Sequence, residues 1–186
     1  MSTRKWKHTG IEKMISIQDA LRSQHTQRWI LLNTCKTQSI AEHQFNTALI
    51  VRALVADFDL GSTDRDELVH LAMVHDLDEV ITGDIPSITK DRYRSLGFDP
   101  NSVTIGWDLE PREPWDKMVI KIADLMEAVW WLGEHKVGRH ARTVWLIMQG
   151  HLEARFEELI RLQPDVGLAA RRVWKDMTTG GFTIEQ

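Results

Sequence analysis

The sequence predicts an all-α protein, about six or seven helices forming one bundle-like domain over residues 1–186. Three observations predict it. Apolar residues recur at three- and four-residue steps along most of the chain. Capping and breaking residues fall between those periodic stretches. No low-complexity tract, repeat or credible strand pair interrupts the pattern. A length of 186 residues agrees with the ~100–200 residues of an ordinary domain.

Ser39-Ile40-Ala41-Glu42 reads as a capping box, with Glu42 reaching back to the capping Ser39. Behind it Phe45, Ala48, Leu49, Val51 and Leu54 form an amphipathic stripe. Gly61-Ser62-Thr63 ends this helix and starts the next, in which Leu68, Leu71, Ala72, Val74 and His75 lead to Leu77. Gly83 and Pro86 break the period and make Thr82–Pro86 a turn. Residues 101–114, with Pro100, Pro111 and Pro114 in or beside them, read as a loop. Pro114 suits the first turn of a helix. From it Met118, Val119, Ile122, Ala123, Leu125, Met126, Val129, Trp130 and Leu132 make a wide apolar face ending at Gly133. A long helix from about Arg139 to Leu162 and a shorter one after Pro164 complete the C-terminal helices, 139–178.

Composition excludes several functions. Cys35 is the one cysteine, so no intramolecular disulfide forms, and a reducing cytoplasm is the expected location. Arg4, Lys5 and Lys7 precede no apolar stretch of a signal peptide. No run approaches the ~18 apolar residues of a membrane span. A net charge of −4 argues against a stable nucleic-acid complex. The charge is uneven: residues 1–28 carry six bases and two acids, residues 57–91 ten acids and two bases. A dense acidic stretch is ordinarily a solvated face. Its other use is to hold a cation.

Four residues favour that other use. His43 lies in the first turn of a capped helix, His75 and Asp76 are adjacent near the end of the next, and Asp124 interrupts an apolar helix. A desolvated carboxylate costs several kcal/mol unless paired. Two imidazoles and two carboxylates together suit Zn²⁺, Mn²⁺, Co²⁺ or Fe²⁺, and two aspartates formally neutralise a divalent ion. Glu79 follows His75 by four residues, on the same face of a helix, where it can orient or deprotonate a water. Asp84, held by the Gly83 turn, can share that work.

These residues carry a resemblance. Arg28-Trp29, Ser39-x-Ala41-Glu42-His43, His75-Asp76-x-x-Glu79, Thr82-Gly83-Asp84-x-Pro86 and Lys121-x-Ala123-Asp124 occur in the order and approximate spacing of HD-domain phosphohydrolases. The chain resembles the bacterial 5′-deoxynucleotidases and, above all, the phage dATP triphosphohydrolases of phages with 2-aminoadenine genomes, over roughly residues 24–134. The resemblance implies metal binding by His43, His75, Asp76 and Asp124, with Zn²⁺, Co²⁺ or Mn²⁺ as the ion. It implies a phosphate contact for Arg28, a sugar contact for Trp29, and water handling by Glu79 and Asp84. Lys90 and Lys121 fall where they would meet phosphate, and further Mg²⁺ or Mn²⁺ would accompany a polyphosphate.

Two features bear on the substrate. Lys90, Arg92 and Arg94 cluster after the turn, and Lys117 and Lys121 lie one turn apart, which favours a triphosphate over a monophosphate. The nucleotidases tend to have proline just after their tryptophan, where this chain reads Arg28-Trp29-Ile30-Leu31. A bulky Leu31 near the base would clash with a purine 2-amino group and favour adenine. The reading is hydrolysis of dATP to deoxyadenosine and triphosphate; a 5′-deoxynucleotidase acting on monophosphates is the alternative. A decayed, non-catalytic nucleotide-binding module is disfavoured because all four ligands and Glu79 are present. Trp130 and Trp131 point about 100° apart on one helix, so one is free for an interface. With the homo-oligomeric habit of the relatives, they imply a dimer or hexamer, in the host cytoplasm for a viral protein.

Overall fold

The computed structural model describes residues 16–56, 65–98 and 114–180. The basic N-terminal stretch, the Gly61–Thr63 break and the proline-flanked loop 101–113 lie outside the described residues. The chain opens with a short helix α1 (Ile17–Ala20) running into a 3₁₀ turn (Leu21–Gln24), then β1 (Gln27–Arg28) and β2 (Gln38–Ser39). Helices follow: α2 (Ile40–Leu54), α3 (Arg65–Val74), α4 (Glu79–Thr82), α5 (Ser87–Ser95), α6 (Pro114–His135), α7 (Gly138–Leu162) and α8 (Pro164–Thr179). The fold is all-α, with Pro114 and Pro164 each opening a helix as the sequence predicts.

The Ser39 capping box forms in full. Ser39 Oγ accepts from the Glu42 backbone N–H at 3.2 Å, and Glu42 Oε2 accepts from the Ser39 N–H at 2.7 Å. These bonds satisfy donors that the first turn of α2 leaves over, and they set His43 at a fixed depth in that turn.

The core is the space enclosed by α2, α3, α6, α7 and α8. Val51 and Leu54 of α2 meet Leu68 of α3, Ile122, Met126 and Val129 of α6, Leu152 and Phe156 of α7, and Ala170 of α8. At the α7–α8 corner the helices approach so closely that a Cβ on Gly167 would lie 2.6 Å from the Ile160 backbone nitrogen. Trp145 of α7 closes the far end, donating its indole N–H to the Val129 carbonyl at 2.9 Å.

The structure departs from the sequence reading in four places. First, a strand pair exists: Gln27 pairs with Ser39 and Arg28 with Gln38, antiparallel. Two residues per strand are too few for an alternating pattern to register. Second, the stripe on α2 is shifted, since Phe45 and Leu49 are exposed while His43, Gln44 and Thr47 are buried beside Ala48, Val51 and Leu54. The inward face carries polar groups because one end of it lines the site. Third, α3 stops at Val74, and residues 75–78 wind on in tight turns with Leu77 N–H bonding to Val74 O and Glu79 N–H to Asp76 O. At about three residues per turn, Glu79 lies over Asp76 rather than on a continuous helix face with His75. Fourth, Lys90, Arg92 and Arg94 belong to a helix, α5, and α6 runs two residues past Gly133.

Candidate metal centre and active site

His43 from α2, His75 and Asp76 from the turns after α3, and Asp124 from α6 converge. One ligand atom from each lies within 4.8 Å of all the others. His43 Nε2 is 3.3 Å from Asp124 Oδ1 and 3.5 Å from Asp76 Oδ2, and His75 Nε2 is 3.3 Å from Asp76 Oδ2. The second nitrogen of each ring is already engaged. His75 Nδ1–H donates to the Ala72 carbonyl at 2.7 Å, and His43 Nδ1–H donates to Glu127 Oε2 at 2.6 Å. Those bonds hold both rings with Nε2 directed into the cluster, the arrangement that metal-binding histidines adopt. Among the described residues both Nε2 atoms are buried and face only these carboxylates. Two imidazole nitrogens facing two carboxylates fit a divalent transition metal.

The electrostatics agree. Burial opposes a charge on His43, as does Arg28. The carboxylates of Asp124, Asp76 and Glu127 together outweigh both and hold its pKa up to about 10. Burial pushes Asp124 toward neutrality, but Lys121 and the two histidines win and keep it well below the ordinary carboxylate range. Asp76 is likewise lowered, burial being overcome by His75 and His43. In each of these three groups, charge pairing within the cluster outweighs burial.

Glu79 and Lys90 form the next feature. Burial and the Asp76 charge raise the Glu79 carboxyl to about 8, against the ion pair with Lys90 at 2.7 Å. Lys90 takes Oε1, while Oε2 is buried with no partner among the described residues. Lys121 bonds Asp124 Oδ2 at 2.5 Å, leaving Oδ1 toward the histidines. The structure therefore pairs both predicted phosphate lysines with carboxylates of the site.

Arg28 lies with its guanidinium over the Trp29 ring, 4.9 Å from the centroid, and its Nε is buried without a partner among the described residues. Trp29 has φ +62°, the left-handed region that a bulky residue rarely adopts. Such a conformation costs about 1–3 kcal/mol and persists only where the surroundings impose it. Here they do. The Trp29 backbone N–H donates to Asp84 Oδ2 at 3.1 Å, its indole N–H to Gln38 Oε1 at 2.8 Å, and its ring stacks on Trp131 with centroids 6.0 Å apart. Asp84 thus has a definite task, pinning the Trp29 backbone. Leu31, in the turn that follows, is 67% exposed, as is Ile30. Trp130 is exposed and Trp131 buried, so the two indoles do part company.

Glu127 was missed in the sequence. It is fully buried one turn beyond Asp124 and bonds His43, Gln38 and Asn46, with Arg28 NH1 at 3.4 Å. The signal that singles out Asp124, an ionisable residue among apolar neighbours, also holds for Glu127 between Met126 and Ala128.

An all-α fold here brings two histidines and two aspartates around one point, with an arginine and a strained tryptophan beside them, a donor set that could hold a divalent metal. Comparison with known proteins gives the particular family. A family model described as 5′-deoxynucleotidase YfbR-like matches residues 18–98. A dATP triphosphohydrolase of Acinetobacter phage SH-Ab 15497 is 34% identical over 158 residues, spanning 73% of this chain and 75% of that protein. Another, from Salmonella phage PMBT28, is 28% identical over 176 residues and 86% of each. A solved structure, the cyanophage S-2L HD phosphohydrolase bound to dA and one catalytic Zn²⁺ ion, matches 88% of this chain and 96% of its own with a TM-score of 0.72 at 24% identity. The chain belongs to the HD phosphohydrolase family that includes the phage dATP triphosphohydrolases.

Proposed function

We propose that the protein hydrolyses dATP to deoxyadenosine and triphosphate, with a divalent metal held by His43, His75, Asp76 and Asp124. The observation that carries this reading is the pair of buried Nε2 atoms that, among the described residues, face only two aspartates, 3.3 Å from the nearest carboxylate oxygens. The naming of the relatives as dATP triphosphohydrolases supports the substrate. When bound, the ion supplies Lewis acidity toward water and a phosphoryl oxygen.

The remaining roles belong to the chain's own groups. Glu79 Oε2 accepts the proton of the attacking water. A carboxyl raised to about 8 is, once ionised, a stronger base than an ordinary glutamate. Lys90 keeps its other oxygen fixed. Arg28, with a buried Nε left over, offers a rigid fork of donors to the α-phosphate. Lys121 leans from Asp124 toward the phosphates as negative charge develops, the use for which preplaced cations contribute most. Trp29, held at φ +62°, would pack against the sugar where a 2′-hydroxyl would need space. Leu31 is exposed beside it and available to meet the base. Further Mg²⁺ or Mn²⁺ would travel with the triphosphate.

The alternative, a 5′-deoxynucleotidase, draws support from the family model over residues 18–98. One panel separates the two: purified protein with Zn²⁺, Co²⁺ or Mn²⁺ against dATP, dGTP, dAMP, dGMP and ATP, with products resolved by chromatography. Release of intact triphosphate from dATP is the expected result. Orthophosphate from dAMP, with dATP untouched, would establish the alternative. A homo-oligomer is part of the same reading, supported by an apolar cleft of about 410 Å³ where Ile17, Leu21, Phe45 and Met73 gather. Light scattering reads the mass directly. No helix among the described residues is long and apolar enough to cross a membrane.

A further inference from the structure

We propose that Glu127 and Gln38 are positioning residues that tie the metal ligand His43 to the indole of Trp29, so that one buried relay sets both the metal and the sugar side of the site. The inference rests on the phosphohydrolase reading above and assigns tasks to two residues outside the family motifs.

The relay is continuous. The Trp29 indole N–H donates to Gln38 Oε1 at 2.8 Å, Gln38 Nε2 donates to Glu127 Oε1 at 2.5 Å, and His43 Nδ1–H donates to Glu127 Oε2 at 2.6 Å. Gln38, His43 and Glu127 are all at most 1% exposed. Each link has a definite direction. The indole and Nδ1 are donors, and a carboxylate is acceptor-only. The group between the indole and the carboxylate has to accept at one end and donate at the other, as the primary amide of Gln38 does. Asn46 Nδ2 at 3.2 Å and Arg28 NH1 at 3.4 Å add to the Glu127 oxygens.

Packing alone does not call for a carboxylate at Glu127. A buried carboxylate between Met126 and Ala128 is weak evidence for stability, because an apolar side chain of like size commonly packs as well or better. What the carboxylate does that an apolar group does not is accept the Nδ1–H of His43 and so hold the ring with Nε2 aimed at the cluster. The fold supports this economically. Glu127 stands three residues after Asp124 on α6, so one helix face carries a metal ligand and the brace of another. Gln38 is paired with Arg28 in the strand register, which puts Trp29 next to it.

The test uses the full-length protein. Glu127→Gln keeps size but brings an amide to where Gln38 and Asn46 already donate. Its Co²⁺ affinity, measured by chelator competition, is expected to fall by ~10–100-fold, with a shift in the visible Co²⁺ absorption bands. Gln38→Met removes both the accepting and the donating end of the amide at equal length. It is expected to weaken Co²⁺ and to lower the kcat/KM preference for dATP over ATP, each by ~5-fold, about one hydrogen bond. Wild-type Co²⁺ affinity and spectrum in folded Glu127→Gln would overturn the proposal. So would a folded Gln38→Met with both quantities unchanged, and that result decides if Glu127→Gln does not fold. A wild-type protein that binds no Co²⁺ at the cluster or hydrolyses no deoxynucleotide would instead defeat the functional reading itself.

Discussion

Metal binding to this protein should be a proton exchange, and its size follows from one residue. In the metal-free site His43 is held charged, with a pKa of about 10, by three carboxylates. At pH 7 an incoming ion must expel that proton before Nε2 becomes a ligand. Asp76 and Asp124 are already ionised, being held below the ordinary carboxylate range, and release nothing. While His43 is charged, the apparent affinity for Co²⁺ should therefore rise ~10-fold per pH unit, or ~100-fold between pH 6.5 and 8.5. Glu79, raised to about 8, adds to the slope if the ion drives its ionisation, so the measurement is made on Glu79→Gln as well. Chelator competition across that range gives the slope, and calorimetry in buffers of different ionisation enthalpy counts the protons. A flat profile in Glu79→Gln, with no proton released, would mean that His43 is neutral without metal and that the carboxylates do not govern the site.

The stability of the metal-free protein carries the same sign. A folded-state pKa raised above its ordinary value of 6.5 gives His43 a stabilising contribution that is complete below that value and lost as pH rises through about 10. Glu79, raised from 4.5 to about 8, loses its contribution in the same upward direction. The metal-free protein should weaken with rising pH while the metal complex tightens. The gain in Tm on adding Co²⁺ then widens toward alkaline pH.

How much of this was legible in the sequence divides along range of interaction. The capping box before His43 and the prolines that open α6 and α8 depend on neighbours three or four residues away, and they form as read. The convergence of His43, His75, Asp76 and Asp124 is long-range, yet it was legible because ionisable groups on apolar faces imply a compensating partner. Periodicity misjudged α2. It counted Phe45 and Leu49 as core, whereas the inward face is occupied by His43, Gln44 and Thr47. The four-residue spacing of His75 and Glu79 suggested a continuous helix, and the tight turns between them brought Glu79 over Asp76 instead. Gln38 gave no signal at all. Its role exists only through a two-residue strand pair and bonds to residues 9 and 89 positions away.

Glu79, Asp124 and Glu127 each divide their oxygens between two partners or tasks, and this division makes the remaining predictions specific. As pH falls, the stabilising contributions of Asp76 and Asp124, complete above their ordinary value of 3.8, should be lost, and Asp124→Asn should flatten the acid limb of the urea-unfolding profile. Gly167→Ala places a methyl 2.6 Å from the Ile160 backbone, so overpacking outweighs the gain in helix propensity. The expected cost is ~1–3 kcal/mol, read as a Tm lowered by several degrees with kcat intact. Lys121→Met separates two accounts of that lysine. If Lys121 serves only to orient Asp124 through its bond to Oδ2, removing it should weaken both Co²⁺ binding and turnover together. If it serves the phosphates, two effects of opposite sign follow. Lys121 Nζ competes with the ion for Asp124, and because the lysine is half exposed the pair is worth at most ~1 kcal/mol, so Co²⁺ affinity should rise by up to ~5-fold. Turnover of dATP should fall ~10–100-fold, because the cation is missing where charge develops. Tighter metal with slower hydrolysis is the expected pair; a fall in both assigns Lys121 to Asp124 alone.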